Sequence, residues 1–483
     1  MPKRYISHNH KPPADGDLPQ VEHDILRSLG SSVNDILRST DDVEASPSVY
    51  VGLSGIVLMN MHLASLADGA DLGAPDEFLA LNDHYLTDAL GLFPSYLRKP
   101  RTPARSAFLD TPVGLATLLL IHAETQDGSD RYPWQECLQL LERTAEDIMS
   151  ETSATDDDGC EVLYGRAGFL YALLRLRGAF LDYSESQVAD AVHDSHITTD
   201  ATIARIAANI IAHGRHGAQT YAADIAPGPP LMWSWHGRRY LGAAHGVVGI
   251  LNILLQCPPY LLTDAYDDIW AMIDWLISIQ DEEGNWPSKA PALRVSKYDT
   301  NELVQWCHGA PGALILLSRA LQHPSAAHHA RRIPAVLRAA DRAATLVYRR
   351  GLLRKGLGAC HGIAGSVFAL LAAARLYASR AISAGDGNGE KGGKGKGRVE
   401  GPGGLETRAR QEEKAQENIM RAVHLSHLAV APEVAGKMTT PDRPHSLYEG
   451  LAGMCCAWAS VLVALRGQNG ADQRWGLPGF DDL

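Results

Sequence analysis

Two apolar patterns alternate along the chain. In the first, two glycines three residues apart open a run that is apolar on all sides: Gly52/Gly55, Gly165/Gly168, Gly246/Gly249, Gly309/Gly312, Gly362/Gly365 and Gly450/Gly453. A degenerate seventh copy lies at Asp110–Leu120, where Thr111-Pro112-Val113-Gly114 precedes Leu115. In the second pattern apolar residues recur at three and four, as in Trp134–Met149, Ile203–His213, Ala265–Gln280 and Ile333–Val347. That spacing marks a helix with one wet face. Period-two alternation is rare, so an all-α protein of two layers is predicted. Its inner helices are buried all round and its outer helices are exposed on one side.

The two layers have to close. An open helical array leaves apolar end faces, and no polar capping repeat is visible. The pattern therefore predicts a double-layered α/α toroid. Glycines at the inner-helix starts let the backbone turn tightly and let neighbours approach. Closure gathers those starts at one end of a central cavity. Residues 1–45 read as a partly extended N-terminal segment, and 46–483 as a single toroid domain. Gly385–Gly404 holds ten glycines in twenty residues, with Lys391, Lys394, Lys396 and Arg398. Such a composition cannot bury a core. It reads as a flexible insertion that continues through a charged stretch to about Asn418.

Bulk properties narrow the function. The 483 residues are 45% hydrophobic and 21% charged, with net charge −12 and a pI near 5.9. This argues against nucleic acid as a partner, because phosphate binding needs a basic face. A small anionic ligand needs only a few local cations. Seven cysteines, an odd number in no compact framework, point to free thiols in a reducing, cytoplasmic setting. Met1–Gln20 lacks the apolar core of a signal peptide. The longest apolar run, Leu451–Leu465, is 15 residues, short of the ~20 that cross a bilayer. Peripheral membrane contact stays open.

Three glycine copies carry soft or borderline metal ligands: Trp306-Cys307-His308-Gly309, Cys360-His361-Gly362 and Ala244-His245-Gly246. Each ligand precedes its glycine, so each projects from the same end of an inner helix. Two thiolates and one imidazole make a three-ligand zinc set with a fourth position free for water or substrate. The plainer reading, small buried thiols beside tight turns, stays open on these residues alone.

The segments Leu163-Tyr164-Gly165-Arg166-Ala167-Gly168, Gly242-Ala243-Ala244-His245-Gly246, Trp306-Cys307-His308-Gly309-Ala310-Pro311-Gly312, Gly358-Ala359-Cys360-His361-Gly362 and Ser446-Leu447-Tyr448-Glu449-Gly450-Leu451-Ala452-Gly453 resemble the lanthionine synthetase C-like family. They look closest to its eukaryotic members, in order from about Tyr50 onward. The resemblance implies seven inner and seven outer helices, with zinc on Cys307, Cys360 and His361. It implies glutathione as co-substrate, added through its thiol to dehydroalanine or dehydrobutyrine residues of proteins. Lys355, five residues before Cys360, matches the family's glutathione-contacting lysine. Thr439-Thr440-Pro441-Asp442 aligns with a glutathione segment whose arginine is absent here; Lys437 stands nearby. Arg4 is a counterpart of an N-terminal arginine that reaches the ligand.

Within that chemistry His245 is the candidate general acid for the enolate left by thiol addition, and His308 the next choice. Glu161 and Glu449 lie close to glycine pairs, where helix starts favour acids in any case. A non-catalytic glutathione-binding adaptor would keep the metal site without needing His245. A toroidal glycosidase needs two facing carboxylates, which no glycine copy supplies. A prenyltransferase site needs an aspartate ligand, which is not found.

Overall fold

The structure, a computed structural model, describes all residues except 1–2, 40–45, 100–101, 126–130, 152–158, 182–185, 225–227, 292–301, 387–401 and 468–474. Fourteen long helices carry the fold among the described residues: α1 Leu18–Arg38, α2 Leu53–Ala70, α3 Pro75–Leu92, α4 Pro112–Thr125, α5 Trp134–Met149, α6 Arg166–Ala179, α7 Asp200–Asp224, α8 Val247–Leu254, α9 Tyr266–Ser278, α10 Ala310–Gln322, α11 Ile333–Arg350, α12 Ile363–Asp386, α13 Pro402–Val430 and α14 Leu451–Leu465. The even-numbered helices form the inner layer. Each packs on the next, α2 on α4, then α6, α8, α10, α12 and α14, and α14 returns to α2. The ring is closed, and the protein is an α/α toroid.

Residue type decides the layer. Every residue of α8 is buried, from Val247 to Leu254. In α5 the buried set is Trp134, Cys137, Leu138, Leu140, Leu141, Thr144, Ala145 and Ile148, a single stripe, while Glu136, Gln139 and Arg143 face water. Outer helices cover their inner neighbours: α3 on α2, α5 on α4, α7 on α6, α11 on α10 and α12, α13 on α12 and α14, α1 on α14. The N-terminus is extended only at its start. Tyr5 pairs with Leu353, the Ile6 N–H donates to the Leu352 carbonyl at 2.7 Å, and α1 follows.

The second glycine of each pair shows why the repeat requires it. A Cβ there would lie 1.9–2.4 Å from the carbonyl oxygen six residues back: Val49 for Gly55, Val162 for Gly168, Ala243 for Gly249, Trp306 for Gly312, Ala359 for Gly365 and Leu447 for Gly453, with Phe108 for Gly114 in the degenerate copy. The copy at Asp110–Leu120 is therefore a full seventh repeat.

The charged stretch up to Asn418, expected to continue the flexible insertion, is instead helix from Pro402 onward. Ala415, Asn418, Ile419, Ala422 and Val423 are buried at helical spacing on α13, which packs along α12. Arg408–Glu412, Arg421–Glu417 and Lys414–Asp341 pair on its wet side. The glycine-rich composition upstream masked that periodicity. Most of the insertion itself, 387–401, lies outside the described residues.

The C-terminal tail was not anticipated. Trp475, Leu477 and Phe480 are buried. Asp481 meets Arg319 of α10 at 2.8 Å and Arg375 of α12, while Asp482 accepts from Tyr171 at 2.7 Å and Arg175 at 2.8 Å, both on α6. The Asn252 amide on α8 donates to the Phe480 carbonyl at 3.0 Å. Four inner helices thus close on one tail. Asp481 is 3% exposed, so its removal leaves two half-buried guanidinium groups without their carboxylate. Asp481→Ala is expected to cost about 3–5 kcal/mol of apparent stability, the usual effect of breaking a buried pair on one side. Urea unfolding followed by circular dichroism checks this, and an unchanged midpoint would show that the tail contributes nothing to ring closure.

Candidate metal centre

Each inner helix is entered through a turn, and the turns are tied to one another by backbone hydrogen bonds. The residue two before the first glycine is the usual contact point. The N–H of Tyr50 donates to the Leu109 carbonyl at 2.8 Å, Leu163 to Ala244 at 3.2 Å, Cys307 to Cys360 at 3.2 Å, Cys360 to Tyr448 at 2.8 Å and Tyr448 to Tyr50 at 3.1 Å. Ala107 donates to Tyr164 at 2.9 Å and joins the second turn to the third. Between the fourth and fifth turns the contact is packing. A Cβ on Gly242 would lie 1.9 Å from the Cys307 carbonyl oxygen. The fifth turn also needs a left-handed residue, Gly309 at φ +105°, after which Asn285 Oδ1 accepts the Ala310 N–H at 2.8 Å.

This belt sets the site. The residues one and two before the glycines fall at the same end of the toroid, where Tyr50, Leu163, Ala244, His245, Cys307, His308, Cys360 and His361 line a cavity of about 330 Å³. Arg4, Leu303, Gln305 and Lys355 complete its wall. The ligand atoms of Cys307, Cys360 and His361 all lie within 4.8 Å of one another. A tetrahedral ion with ~2.3 Å bonds to sulfur holds its ligands about 3.8 Å apart, so the three groups fit one. Both sulfurs are buried and the imidazole is partly exposed.

The electrostatics favour a cation. Burial, and then the Cys307 sulfur, push the Cys360 thiol well up, with His361 pulling the other way. The Tyr50 hydroxyl bonds to Cys360 and is likewise pushed up by burial and by the two sulfurs. The Cys307 thiol points to Gln305 Oε1 at 3.6 Å. A buried thiol held up in this way ionises readily only beside positive charge. Burial, His245 and Lys289 push His308 down to about 4, which leaves its ring neutral near pH 7.

His245 has a different setting. Its Nδ1 lies 3.1 Å from Glu161 Oε2, and Glu161 is only 2% exposed. The same carboxylate accepts the Leu163 and Tyr164 N–H groups at 2.8 and 2.7 Å, which fixes its orientation. Trp235 stacks on His245 with ring centres 5.6 Å apart and planes within 4°. Asp110, next to this group, is pushed up to about 6 by burial, against hydrogen bonds from Ser48 and Tyr164 and the charge of Arg105.

Of the remaining sequence candidates, Arg4 and Lys355 reach the cavity. Thr439 donates its N–H and hydroxyl to the Arg354 carbonyl, at 2.7 and 3.1 Å, and so packs beside Lys355. Pro441 lies near Gly356. Thr440 and Asp442 are exposed and are not among the lining residues. Lys437 offers its carbonyl to Arg354 at 3.2 Å, and its side chain is not part of the wall. Glu449, one before Gly450, also stays outside the wall. Sequence reading passed over Tyr50 and Gln305. Register would have found Tyr50, since it precedes Gly52 by two, as Cys307 and Cys360 precede Gly309 and Gly362.

Fold and site together define a helical toroid with an open two-cysteine, one-histidine ligand set at the end where its inner helices begin. The profile of the lanthionine synthetase C-like protein family matches residues 43–387, most of the chain, and the chain belongs to that family. It is 26% identical over 457 residues to the glutathione S-transferase LANCL1 of Danio rerio, covering 91% of this chain and 89% of that protein. To the LanC-like protein GCL1 of Arabidopsis thaliana it is 30% identical over 305 residues, 62% of this chain and 55% of that protein. Among solved structures, nisin cyclase aligns over 94% of this chain and 98% of its own, at 14% identity and a TM-score of 0.49. No described helix is long and apolar enough to cross a membrane.

Metal analysis of the purified chain is expected to find one bound ion per molecule. Cys307→Ala, Cys360→Ala and His361→Ala should each lose most of it. Retention of full occupancy in both cysteine variants would place the ion elsewhere.

Proposed function

We propose that the chain is a zinc-dependent transferase that adds the thiol of glutathione to dehydroalanine or dehydrobutyrine residues of polypeptides, forming a thioether. The observation that carries this reading is the open Cys307–Cys360–His361 set in one cavity with two cations, Arg4 and Lys355, and with the His245–Glu161 pair. The family and the transferase name of the Danio rerio relative support it.

Each part has a task. Zinc held by the three ligands would supply a Lewis acid that keeps a thiol in the open position as its reactive thiolate. Lys355 and Arg4 offer cationic hydrogen-bond donors to the carboxylates of glutathione. Attack on the β-carbon of the dehydro residue turns the C=C–C=O unit into an enolate, which needs a proton at the α-carbon. His245 receives the thiol proton and returns it there, so S–H adds across the double bond with no proton gained or lost. Glu161 holds the Nδ1 side of the ring, leaves Nε2 for the transfer and stabilises the imidazolium while it exists. His308 lines the same cavity and has no carboxylate partner among the described residues. It is better suited to shaping the wall.

Incubation with glutathione and a dehydroalanine peptide, read by mass spectrometry, should give the one-glutathione adduct. No adduct, with glutathione still bound in calorimetry, would make the chain a binding protein only. His245→Asn should keep metal and glutathione affinity yet slow adduct formation by about 10²–10⁴-fold. An equal rate in that variant assigns the proton to another group. Lys355→Ala should retain the metal and weaken glutathione binding up to about tenfold, as expected for one exposed charged hydrogen bond. An unchanged dissociation constant removes this lysine from the glutathione site.

A further inference from the structure

From His245 outward the wall is a cluster of stacked aromatic rings that ends in a cation. Tyr164 stacks on Trp235 at 5.3 Å and on His245 at 5.9 Å, with planes within 20° of each, Trp235 also stacks on His245, and the Arg105 guanidinium lies 4.3 Å from the Tyr164 ring centre and 5.6 Å from that of Trp235. Arg105 is exposed. A second cation sits beside this cluster. Lys289 Nζ is 5.9 Å over the Tyr240 ring, whose centre lies 6.0 Å from His245 and 5.7 Å from His308. Backbone pairing holds Lys289 there: Tyr240 bridges it, and Leu241 and Ala290 donate to the Ser288 and Arg239 carbonyls at 3.0 and 2.8 Å. A third cation, Arg238, is exposed on the tight turn that starts at Trp235.

None of these three side chains has an ion-pair partner among the described residues. The chain is acidic, at −12, and elsewhere supplies such partners, as in Arg27–Asp24, Arg131–Asp83 and Arg215–Asp268. Of the described acids close by, Asp110 bonds to Ser48 and Tyr164 and feels the charge of Arg105 without reaching ion-pair distance, and Glu161 is bonded to His245 and two N–H groups. A guanidinium held over a tyrosine ring can still offer N–H groups to a carboxylate in two-point geometry.

We propose that this cation-bearing aromatic wall docks the acceptor polypeptide and selects acidic side chains near the reacting residue. The inference rests on the transfer reading above, which places the reacting residue at His245. Arg105, Arg238 and Lys289 are specificity residues for the polypeptide, separate from the cations assigned to glutathione. Arg105 lies within about 10 Å of the His245 ring, so at roughly 3.3 Å per extended residue it meets an acid about three positions or fewer from the reacting one.

The test measures binding apart from chemistry. Two fluorescent peptides carry alanine at the reacting position, so neither can react. One has glutamates within five residues on each side and the other has lysines. Anisotropy with the wild-type chain is expected to show the acidic peptide binding at least about tenfold tighter, an advantage that shrinks as salt is raised. R105E combined with K289E should abolish or reverse the preference while keeping the metal and the melting temperature. R105A and K289A, each alone, should reduce it should the double variant fail to fold. Equal affinity of wild type for both peptides, or an unchanged preference in the variants, overturns the proposal. So does tighter binding of a single-stranded oligonucleotide than of the acidic peptide. Because the peptides cannot react, failure here leaves glutathione transfer untouched. Failure of transfer in the dehydroalanine assay, in turn, is seen separately from this preference.

Discussion

The structure depends on a belt of backbone contacts around one end of the toroid, hydrogen bonds from turn to turn except between the fourth and fifth, where the backbones pack. Its contact residues, Tyr50, Leu109, Leu163, Ala244, Cys307, Cys360 and Tyr448, occupy one register in the seven repeats, two before the first glycine or its counterpart. Backbone donors in a dry interior have to be paired. Pairing them with the neighbouring turn satisfies them and at the same time fixes the rotation of each inner helix. The glycines follow from this, because a Cβ at the second position would strike a carbonyl that the turn has to point inward. The belt also carries the chemistry. Its fifth and sixth contact residues are the two cysteines, so the bond from Cys307 N–H to the Cys360 carbonyl sets their separation.

At the other side of that belt the apolar inner layer holds three arginines, on α6, α10 and α12. A guanidinium facing an apolar interior is costly unless it is paired. Asp481 and Asp482 provide the pairs, and they bring Phe480 edge-on against Trp306, with ring centres 5.0 Å apart. Trp306 precedes the first metal-ligand candidate. The tail is therefore packed against the turn that holds Cys307, and its charges and its aromatic ring act on one element. This joins the ion pairs to the shape of the site.

Much of this was legible in the sequence, because the signals were local and repeated. All-round apolar runs behind glycine pairs gave the inner layer. Three-and-four spacing gave the outer one, and the absence of polar caps gave closure. Cys307, Cys360 and His361 stood out as ligand types at one register. What escaped was long-range or masked. The α13 stripe was hidden behind a glycine-rich segment. The tail carries no periodicity, since its role comes from two aspartates meeting arginines 106 to 307 residues away. Glu161 looked like an ordinary acid near a helix start until the fold placed it on His245.

Because backbone atoms make the belt, side chains at its inner rim are free to differ from turn to turn without loosening the ring. The residues one before the glycines show this: Tyr164, three histidines (His245, His308 and His361) and Glu449 share a register, so a phenol, imidazoles and a carboxylate occupy equivalent positions. Three neighbouring turns contribute the histidines, two of these turns add the cysteines, and the second and third turns add Asp110 and Tyr164. On the proposed reading, function is sorted by turn around one rim, with ligand candidates in the fifth and sixth, proton handling in the fourth with help from the third, and a cationic aromatic face running from the fourth back to the second. Under that proposal, a thiol and an acceptor chain would approach one reacting centre from separate arcs of the ring. Neither has to cross the other's contacts, and the rigid belt keeps the two arcs in register.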